Sequence, residues 1–125
     1  MRENNVLHVY YGERLVGTMA LTESKKAAFE YAYDELKREN VQDKVTLFYN
    51  DYDTYFSVDD ELALISYINE GEEAKICGGI GMQSHVDIKR PTLEEHGNAL
   101  KAFINAGLEV QITELDITIN FDTDD

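Results

Sequence analysis

From residue 23 onward, helix-type and strand-type segments alternate along the chain, and this order constrains the possible folds more than any other feature. Three stretches rich in helix formers are each followed by a short apolar run, and these pairs are 23–39 with 44–49, 57–70 with 76–82, and 91–107 with 108–113. Strands separated by helices of this length form parallel sheets with right-handed crossovers. The nearly continuous apolar runs indicate strands covered on both faces.

The N-terminal part of the chain has a different pattern. Residues 6–21 are rich in β-branched and aromatic residues on either side of Gly12-Glu13. Glycine at the first of two loop positions suits a type II′ turn, so this segment is predicted to form a β-hairpin. Thr22 or Ser24 is the predicted cap of the helix that follows. The sequence therefore predicts a single α/β domain, over residues 1–125, in which a hairpin precedes three parallel strands alternating with helices.

The charge balance excludes several classes of partner. The chain of 125 residues has 11 Lys and Arg against 25 Asp and Glu, a net charge of -14. Binding to nucleic acid requires a basic face, and anionic membrane surfaces attract basic segments, so we expect neither partner. No apolar run approaches the roughly 20 residues needed to span a bilayer. The first residues show no signal peptide, and the localisation is left open.

Metal and cofactor chemistry are not indicated either. Cys77 is the single cysteine, so we expect a buried thiol without a disulfide partner. The three histidines, His8, His85 and His96, lack the spacing of metal ligands. The glycine-rich run 78–81 lacks the Lys-Ser/Thr ending of a phosphate loop and is better explained by small residues packing inside a barrel. We therefore expect no metal and no cofactor.

Polar residues gather at the C-terminal ends of all three predicted strands. They are Asn50, Asp51 and Tyr52 after the first strand, Gln83, Ser84 and His85 after the second, and Glu114, Leu115 and Asp116 in the stretch after the third. Parallel strands bring these ends to one rim, and the chemistry of parallel α/β proteins takes place at that rim. The topology therefore predicts the site before any family is considered.

Three strings identify a family. LFYNDYDTY at 47–55, GIGMQSHVDI at 80–88 and GLEVQITELDI at 107–117 resemble the fifth, sixth and seventh strands of family 10 glycoside hydrolases. RPTLEEHGNALKAFINAG at 90–107 and AAFEYAYDEL at 27–36 resemble that family's intervening helices. The resemblance covers about residues 23–120 in unbroken order. It implies part of a (β/α)₈ barrel and, as parent activity, retaining endo-β-1,4-xylanase chemistry on xylan.

The resemblance also implies catalytic roles. Glu114 matches the nucleophile that forms the glycosyl-enzyme intermediate. His85 matches the histidine that hydrogen-bonds this carboxylate, and Asp116 matches the aspartate that supports the histidine. A retaining glycosidase needs an ionised carboxylate below the anomeric carbon, and a neighbouring donor such as His85 would keep it charged and aimed.

Substrate-binding roles follow from the same resemblance. Asn50, Asp51 and Tyr52 match a strand-end motif that lines the cleft. Gln83 matches a glutamine near the sugar at the cleavage site, where His85 also lies. The expected ligand is xylan or a xylo-oligosaccharide.

The departures from the family predict a chain that is inactive alone. A complete barrel of this type needs roughly 250 residues or more. Retention requires two carboxyl groups about 5 to 5.5 Å apart, and no strand-end motif for the family's general acid/base is found here. The sequence also lacks Trp, which this family uses to stack sugar rings. We therefore expect a non-catalytic fold. The alternatives are an enzyme fragment complemented by the missing barrel half, or a weak carbohydrate-binding module.

The string at 6–36 resembles the N-terminal β-rich subdomain of HipA-type toxin kinases. That resemblance makes residues 27–31 a strand, whereas the glycosidase resemblance and the helical composition of 25–39 make them a helix, which we favour. No kinase motif is present, so kinase function does not carry over. Two overlapping resemblances predict a natural or engineered recombinant. Because such a partial barrel leaves sheet edges and apolar area open, we expect a homo-oligomer or a complementing chain.

Overall fold

The computed structural model describes the backbone of residues 6–11 and 14–119 and the side chains of residues 22–119. In chain order the elements are β1 (Val6–Tyr11), β2 (Arg14–Ala20), α1 (Leu21–Arg38), β3 (Phe48–Asp51), a 3₁₀ turn (Thr54–Phe56), α2 (Val58–Asn69), β4 (Gly79–Met82), β5 (His85–Asp87), α3 (Leu93–Asn105), β6 (Glu109–Ile112) and β7 (Asp116–Thr118). The predicted alternation of three helices with three strands is present.

The strands from β3 onward form two parallel sheets. The larger sheet has the order β3-β4-β6, and its register aligns Asn50 with Gly81 and Gly81 with Gln111. The smaller sheet pairs β5 with β7 and aligns His85 with Asp116. This second sheet was not predicted, because the three-residue segments HVD and DIT are too short and too polar to stand out as strands.

The core lies between β4 and the helices. All four residues of β4 are buried. The buried apolar cluster comprises Tyr49, Tyr55, Ile65, Ile68, Ile76, Cys77, Ile80, Met82, Ala99, Phe103 and Leu108. Burial raises the pKa of the Cys77 thiol to about 11, so this group stays protonated and unreactive at neutral pH. Within the described residues, no helix is both long enough and apolar enough to cross a membrane.

The predicted hairpin is present. Strands β1 and β2 pair antiparallel from Val6 with Ala20 to Tyr11 with Arg14, and the register shifts once, after Val9. They form their own two-stranded sheet, which contacts α1. The turn residues 12–13 lie outside the described part of the chain, so the predicted turn type remains a prediction.

Two boundaries differ from the predictions. Helix α1 begins at Leu21, so Thr22 and Ser24 lie within its first turn and the predicted caps are wrong. Residues 27–31 lie inside α1, so the strand alternative for them is also wrong, because Ala, Lys, Glu and Leu favour the helix.

The first strand of the larger sheet begins later than predicted. The amide of Lys44 still donates to the carbonyl oxygen of Val41 in a turn, and β3 begins only at Phe48. Strand β6 is also more exposed than a strand covered on both faces, because it lies at an edge of the sheet. The expectation that the strands are covered on both faces is correct for β4 and wrong for β6.

Helix α3 has clear signals at both ends. The Thr92 side chain accepts a hydrogen bond from the Glu95 amide while the Glu95 side chain accepts one from the Thr92 amide, which is a capping box. At the other end Gly107 has φ of 85°, and its amide donates to Ile104. A left-handed residue at this position closes the helix and favours glycine. Both ends agree with the predicted start at Pro91-Thr92 and the predicted end at Gly107.

Substituting Gly97 with alanine is expected to stabilise the fold. Gly97 lies inside α3, and a Cβ atom built there has no other atom within 4 Å. Alanine is the better helix former, so the free energy of unfolding should rise by about 0.5–1 kcal/mol. Urea denaturation followed by circular dichroism measures this change. A decrease in stability would show that the helix needs glycine there for close packing.

Candidate active site

The polar strand-end residues gather at one rim, as the topology predicted. Asn50 lies near the end of β3, His85 begins β5, and Asp116 begins β7. Glu114 lies between β6 and β7, where its amide donates to the carbonyl oxygen of Gln83. The rim is therefore built where the larger sheet continues into the smaller one.

The Glu114 carboxylate accepts a hydrogen bond at each of its oxygens. Its Oε1 lies 3.0 Å from Nε2 of His85, and its Oε2 lies 3.1 Å from Nδ2 of Asn50. The side chain remains 44% exposed, so solvent or a ligand can reach it. Two donors from two different strands therefore hold an accessible carboxylate in one orientation.

Asn50 is itself oriented by Thr113, which directly follows strand β6. The Thr113 hydroxyl donates to Oδ1 of Asn50 at 2.7 Å, which leaves the NH₂ group to point at Glu114. A Cβ atom at Gly81 would lie 2.5 Å from the same Oδ1. Glycine is therefore needed at this position of β4 to make room for the Asn50 amide. Thr113 was not among the predicted site residues.

His85 bridges two carboxylates. Its Nδ1 lies 2.8 Å from Oδ2 of Asp116, while its Nε2 lies 3.0 Å from Glu114. Both carboxylates are acceptors, so the two hydrogen bonds form together only when both ring nitrogens carry a proton. The hydrogen bond that His85 donates to Asp116, and then the one that it donates to Glu114, raise the pKa of His85 above its ordinary value of 6.5. The geometry thus favours an imidazolium between two carboxylates.

The titration of His85 provides a direct test. We expect its pKa in the folded protein to lie above 6.5, and to decrease in an Asp116→Asn variant that removes the largest cause. Because the pKa is raised in the folded state, the stabilisation is fully present below about pH 6.5 and is lost as the pH rises through the folded pKa. Following the histidine NMR resonances against pH measures the pKa of His85. A His85 pKa that is not raised would contradict the bridge between the two carboxylates.

The other predicted site residues contribute differently. Tyr52 is exposed, and its amide donates to the Asp51 side chain. Asp51 is buried and also accepts a hydrogen bond from the Tyr49 hydroxyl, so its carboxylate lies in the layer between sheet and helices. Gln83 joins the rim through its backbone, with its amide donating to the carbonyl oxygen of Asp51. The structure thus brings Glu114, His85, Asp116 and Asn50 into one hydrogen-bonded group, while these three residues border it.

A cavity of about 510 Å³ adjoins His85. Its lining includes the charged side chains of Asp53, Asp87 and Arg90. The Arg90 guanidinium lies over the Phe56 ring, 4.9 Å from its centroid. Among the described residues, this cavity therefore places further charged side chains on the same side of the molecule as His85, in addition to Glu114 and Asp116.

Comparisons with known proteins show the family of this chain. The profile of Glycosyl hydrolase family 10 matches residues 22–124. The chain belongs to this family. It is 50% identical over 99 residues to "Endo-1,4-beta-xylanase A" of Butyrivibrio fibrisolvens, an alignment that covers 79% of this chain and 24% of the relative. It is 35% identical over 98 residues to "Endo-1,4-beta-xylanase" of Geobacillus stearothermophilus, covering 78% of this chain and 28% of the relative.

Solved structures of the family have the same fold. The Penicillium canescens endo-1,4-beta-xylanase XylE superposes with a TM-score of 0.70 at 31% identity, covering 78% of this chain and 29% of that one. The Thermobacillus composti GH10 xylanase superposes with a TM-score of 0.66 at 30% identity, covering 84% and 32%. The predicted fold, part of a (β/α)₈ barrel with parallel strands and helices, is confirmed. The chain spans about a quarter of the length of the two curated xylanases from Butyrivibrio fibrisolvens and Geobacillus stearothermophilus.

Proposed function

We propose that this chain supplies the nucleophile side of a retaining endo-1,4-β-xylanase cleft, and that these 125 residues alone do not hydrolyse xylan. The observation that supports the first part is the Glu114 carboxylate at the rim, accessible to solvent and held by His85 and Asn50. The membership in Glycosyl hydrolase family 10 and the names of the similar xylanases support the substrate.

The position of this carboxylate and the family membership support a retaining reaction with the following steps. A Glu114 oxygen attacks the anomeric carbon of a xylose unit and forms a C–O bond as the glycosidic C–O bond breaks. The leaving oxygen takes a proton from a general acid. The conjugate base of that acid later takes a proton from the water molecule that attacks the anomeric carbon and releases Glu114, so the configuration is retained. His85 and Asn50 orient the attacking carboxylate, and Asp116 orients His85.

Sugar binding at this rim rests on the exposed side chains around Glu114. We assign contacts with the substrate to Asn50, Tyr52, Gln83 and His85. Tyr52 is 57% exposed and offers an aromatic face to a sugar ring. Asn50 and His85 offer polar groups to hydroxyls, in addition to their bonds to Glu114.

The expected inactivity of the isolated chain rests on the carboxylates that lie beside His85 and Glu114 in the described part of the chain. Asp116 accepts a hydrogen bond from His85, and Asp51 is buried among Tyr49 and the Tyr52 amide. We therefore assign neither of them as the general acid, and the reaction with an unactivated sugar leaving group needs one.

A specific feature of the surface favours the alternative in which another chain complements the missing barrel half. Four large apolar side chains near the β6 and β7 edge are 46% to 72% exposed, namely Ile112, Leu115, Ile117 and Ile119. Strands β6 and β7 each pair on one side only within the described sheets. An open, apolar sheet edge supports a second copy or a complementing chain that brings the general acid.

The origin of the chain is part of the same proposal. The match to family 10 begins at residue 22, in the first turn of α1, just after the hairpin that ends at Ala20. This boundary supports a hairpin of different origin joined to a segment of a xylanase barrel, by natural or engineered recombination.

Xylan hydrolysis by the purified chain tests the proposal. We expect the 125 residues to release no more reducing sugar than a matched Glu114→Ala variant, because protonation of the leaving oxygen contributes about 10²–10⁴-fold and its source is absent. Both proteins should have the same circular dichroism spectrum. Sugar release that depends on Glu114 would overturn the inactivity of the chain, and would mean that a second copy or another carboxylate supplies the acid.

A further inference from the structure

The residue before His85 has an unusual backbone conformation. Ser84 has φ of 62°, which is rare for a residue with a side chain, and it is completely buried. Its carbonyl oxygen accepts a hydrogen bond from the Asp116 amide. Ser84 therefore forms the bend that both starts β5 at His85 and places Asp116 beside it.

A histidine on α3 holds this bend from the opposite side. Nε2 of His96 lies 3.2 Å from the Ser84 hydroxyl, and that hydroxyl donates to the carbonyl oxygen of Met82 at 3.2 Å. Since the single hydroxyl proton points at Met82, the hydrogen bond with His96 requires Nε2 to be the donor. His96 thus fixes the Ser84 side chain inside the fold.

His96 also packs against Tyr55, which restrains the backbone of His85 through its carbonyl oxygen. The ring centroids of His96 and Tyr55 are 5.5 Å apart, with an angle of 34° between the planes. The Tyr55 hydroxyl lies 3.3 Å from the carbonyl oxygen of His85 and donates to it. His96 therefore contacts both groups that restrain the backbone of His85, one before it and one after it.

We propose that His96 is a positioning residue, which places the His85 imidazole between Glu114 and Asp116 through Ser84 and Tyr55. This role deepens the proposed function, because it sets the orientation of the nucleophile's hydrogen-bond donor. His96 itself touches neither Glu114 nor Asp116 in the hydrogen bonds described. Its expected effect is therefore on the geometry of His85 and, through it, on Glu114.

The test compares His96→Leu with His96→Gln. Leucine keeps much of the packing against Tyr55 but cannot donate, whereas glutamine places an NH₂ group close to the position of Nε2. Each variant is also made together with Gly97→Ala, whose expected stabilisation keeps α3 folded. The readout is the pKa of His85 from NMR, where the removal of His96 leaves only His8 and His85 to assign, and His85→Gln identifies the resonance.

We expect the pKa of His85 to decrease by about 0.5 or more in His96→Leu and to remain close to its original value in His96→Gln. A lower unfolding midpoint with an unchanged His85 pKa would overturn the proposal and assign His96 to stability alone. An equal decrease in both variants would also overturn it, because the donor would then not matter. The readout does not depend on xylan hydrolysis, so failure of the proposed function would leave this result interpretable.

Discussion

A hybrid enzyme in which residues 22–119 replace the matching segment of Butyrivibrio fibrisolvens endo-1,4-beta-xylanase A is expected to hydrolyse xylan, and Glu114→Gln is expected to abolish that activity. This chain and that xylanase are 50% identical over 99 residues, and the recipient brings the rest of its own sequence. Loss of a covalent nucleophile should lower kcat by on the order of 10⁴-fold or more. Initial rates on xylan measure the effect.

The physical reason is the specific role of the Glu114 oxygens. Glutamine keeps the size of the side chain, but its amide nitrogen would face a donor of His85 or Asn50 and its oxygen is a poor nucleophile. The fold should therefore persist while the glycosyl-enzyme intermediate no longer forms. The isolated chain and the hybrid together separate the nucleophile, which we propose this chain contains, from the acid, which we expect the recipient to bring.

Glu94→Gln is the matched control for this experiment. Glu94 is an exposed carboxylate in the first turn of α3. It does not belong to the hydrogen-bonded group of Glu114, His85, Asp116 and Asn50. We expect the hybrid with this change to keep its rate. An active hybrid in which Glu114→Gln also keeps its rate would refute the assignment of the nucleophile. A hybrid that folds and stays inactive with Glu114 intact would refute the expectation that residues 22–119 can replace the matching segment of an active xylanase.

The second large effect is expected at Lys26, on stability. Replacing Lys26 with methionine should lower the free energy of unfolding by about 2–3 kcal/mol, the scale of hydrogen bonds to charged groups that are lost without replacement. The Lys26 ammonium donates to the carbonyl oxygens of Tyr67, Ile68 and Glu70 at 2.7 to 2.9 Å. Its side chain is 18% exposed and also lies 3.3 Å from Glu72.

These contacts close the C-terminal end of α2. The last carbonyl groups of a helix have no partners within the helix, and its C-terminus favours a positive charge. Helix α2 has no basic residue in its own last turn, so Lys26 brings that charge from α1. Methionine has a similar length but cannot donate, so the carbonyl groups of Ile68 and Glu70 would lose this donor, while that of Tyr67 would keep only the Glu70 amide.

Lys37→Met is the matched control. Lys37 also lies on α1 and makes an ion pair with Glu73, but the two side chains are 44% and 76% exposed. Exposed pairs of this kind contribute little, so its unfolding midpoint in urea should hardly change. Equal losses of stability in the two variants would show that the net loss of a positive charge matters, and that the contacts with α2 do not.

Much of the fold was predictable because its signals are local. Helix formers, the capping box at Thr92 and Glu95, and the glycine at 107 determine where α3 begins and ends from neighbouring residues alone. The boundaries that were missed depend on distant partners. Strand β3 begins where its pairing with β4 begins, and β5 and β7 exist only because they pair with each other.

The candidate site divides in the same way. The residue types and their place at strand ends predicted Asn50, His85, Glu114 and Asp116 together at one rim. Thr113 was missed although it precedes Glu114, because its role depends on Asn50, which lies 63 residues earlier. The role of His96 was missed, because the spacing of the histidines excluded it only as a metal ligand and no local pattern marks a side chain that reaches across to Ser84.

By itself, the sequence determined the alternation of helices and strands, the family, and the residue types at the rim. These depend on periodicity, propensity and short strings, which are properties of neighbouring residues. Only the tertiary structure decided that Asn50 reaches Glu114 across 64 positions, and that His85 lies between two carboxylates. Those contacts depend on the register of parallel strands and on the bend at Ser84, because a hydrogen bond forms only when two distant segments are placed within about 3 Å of each other.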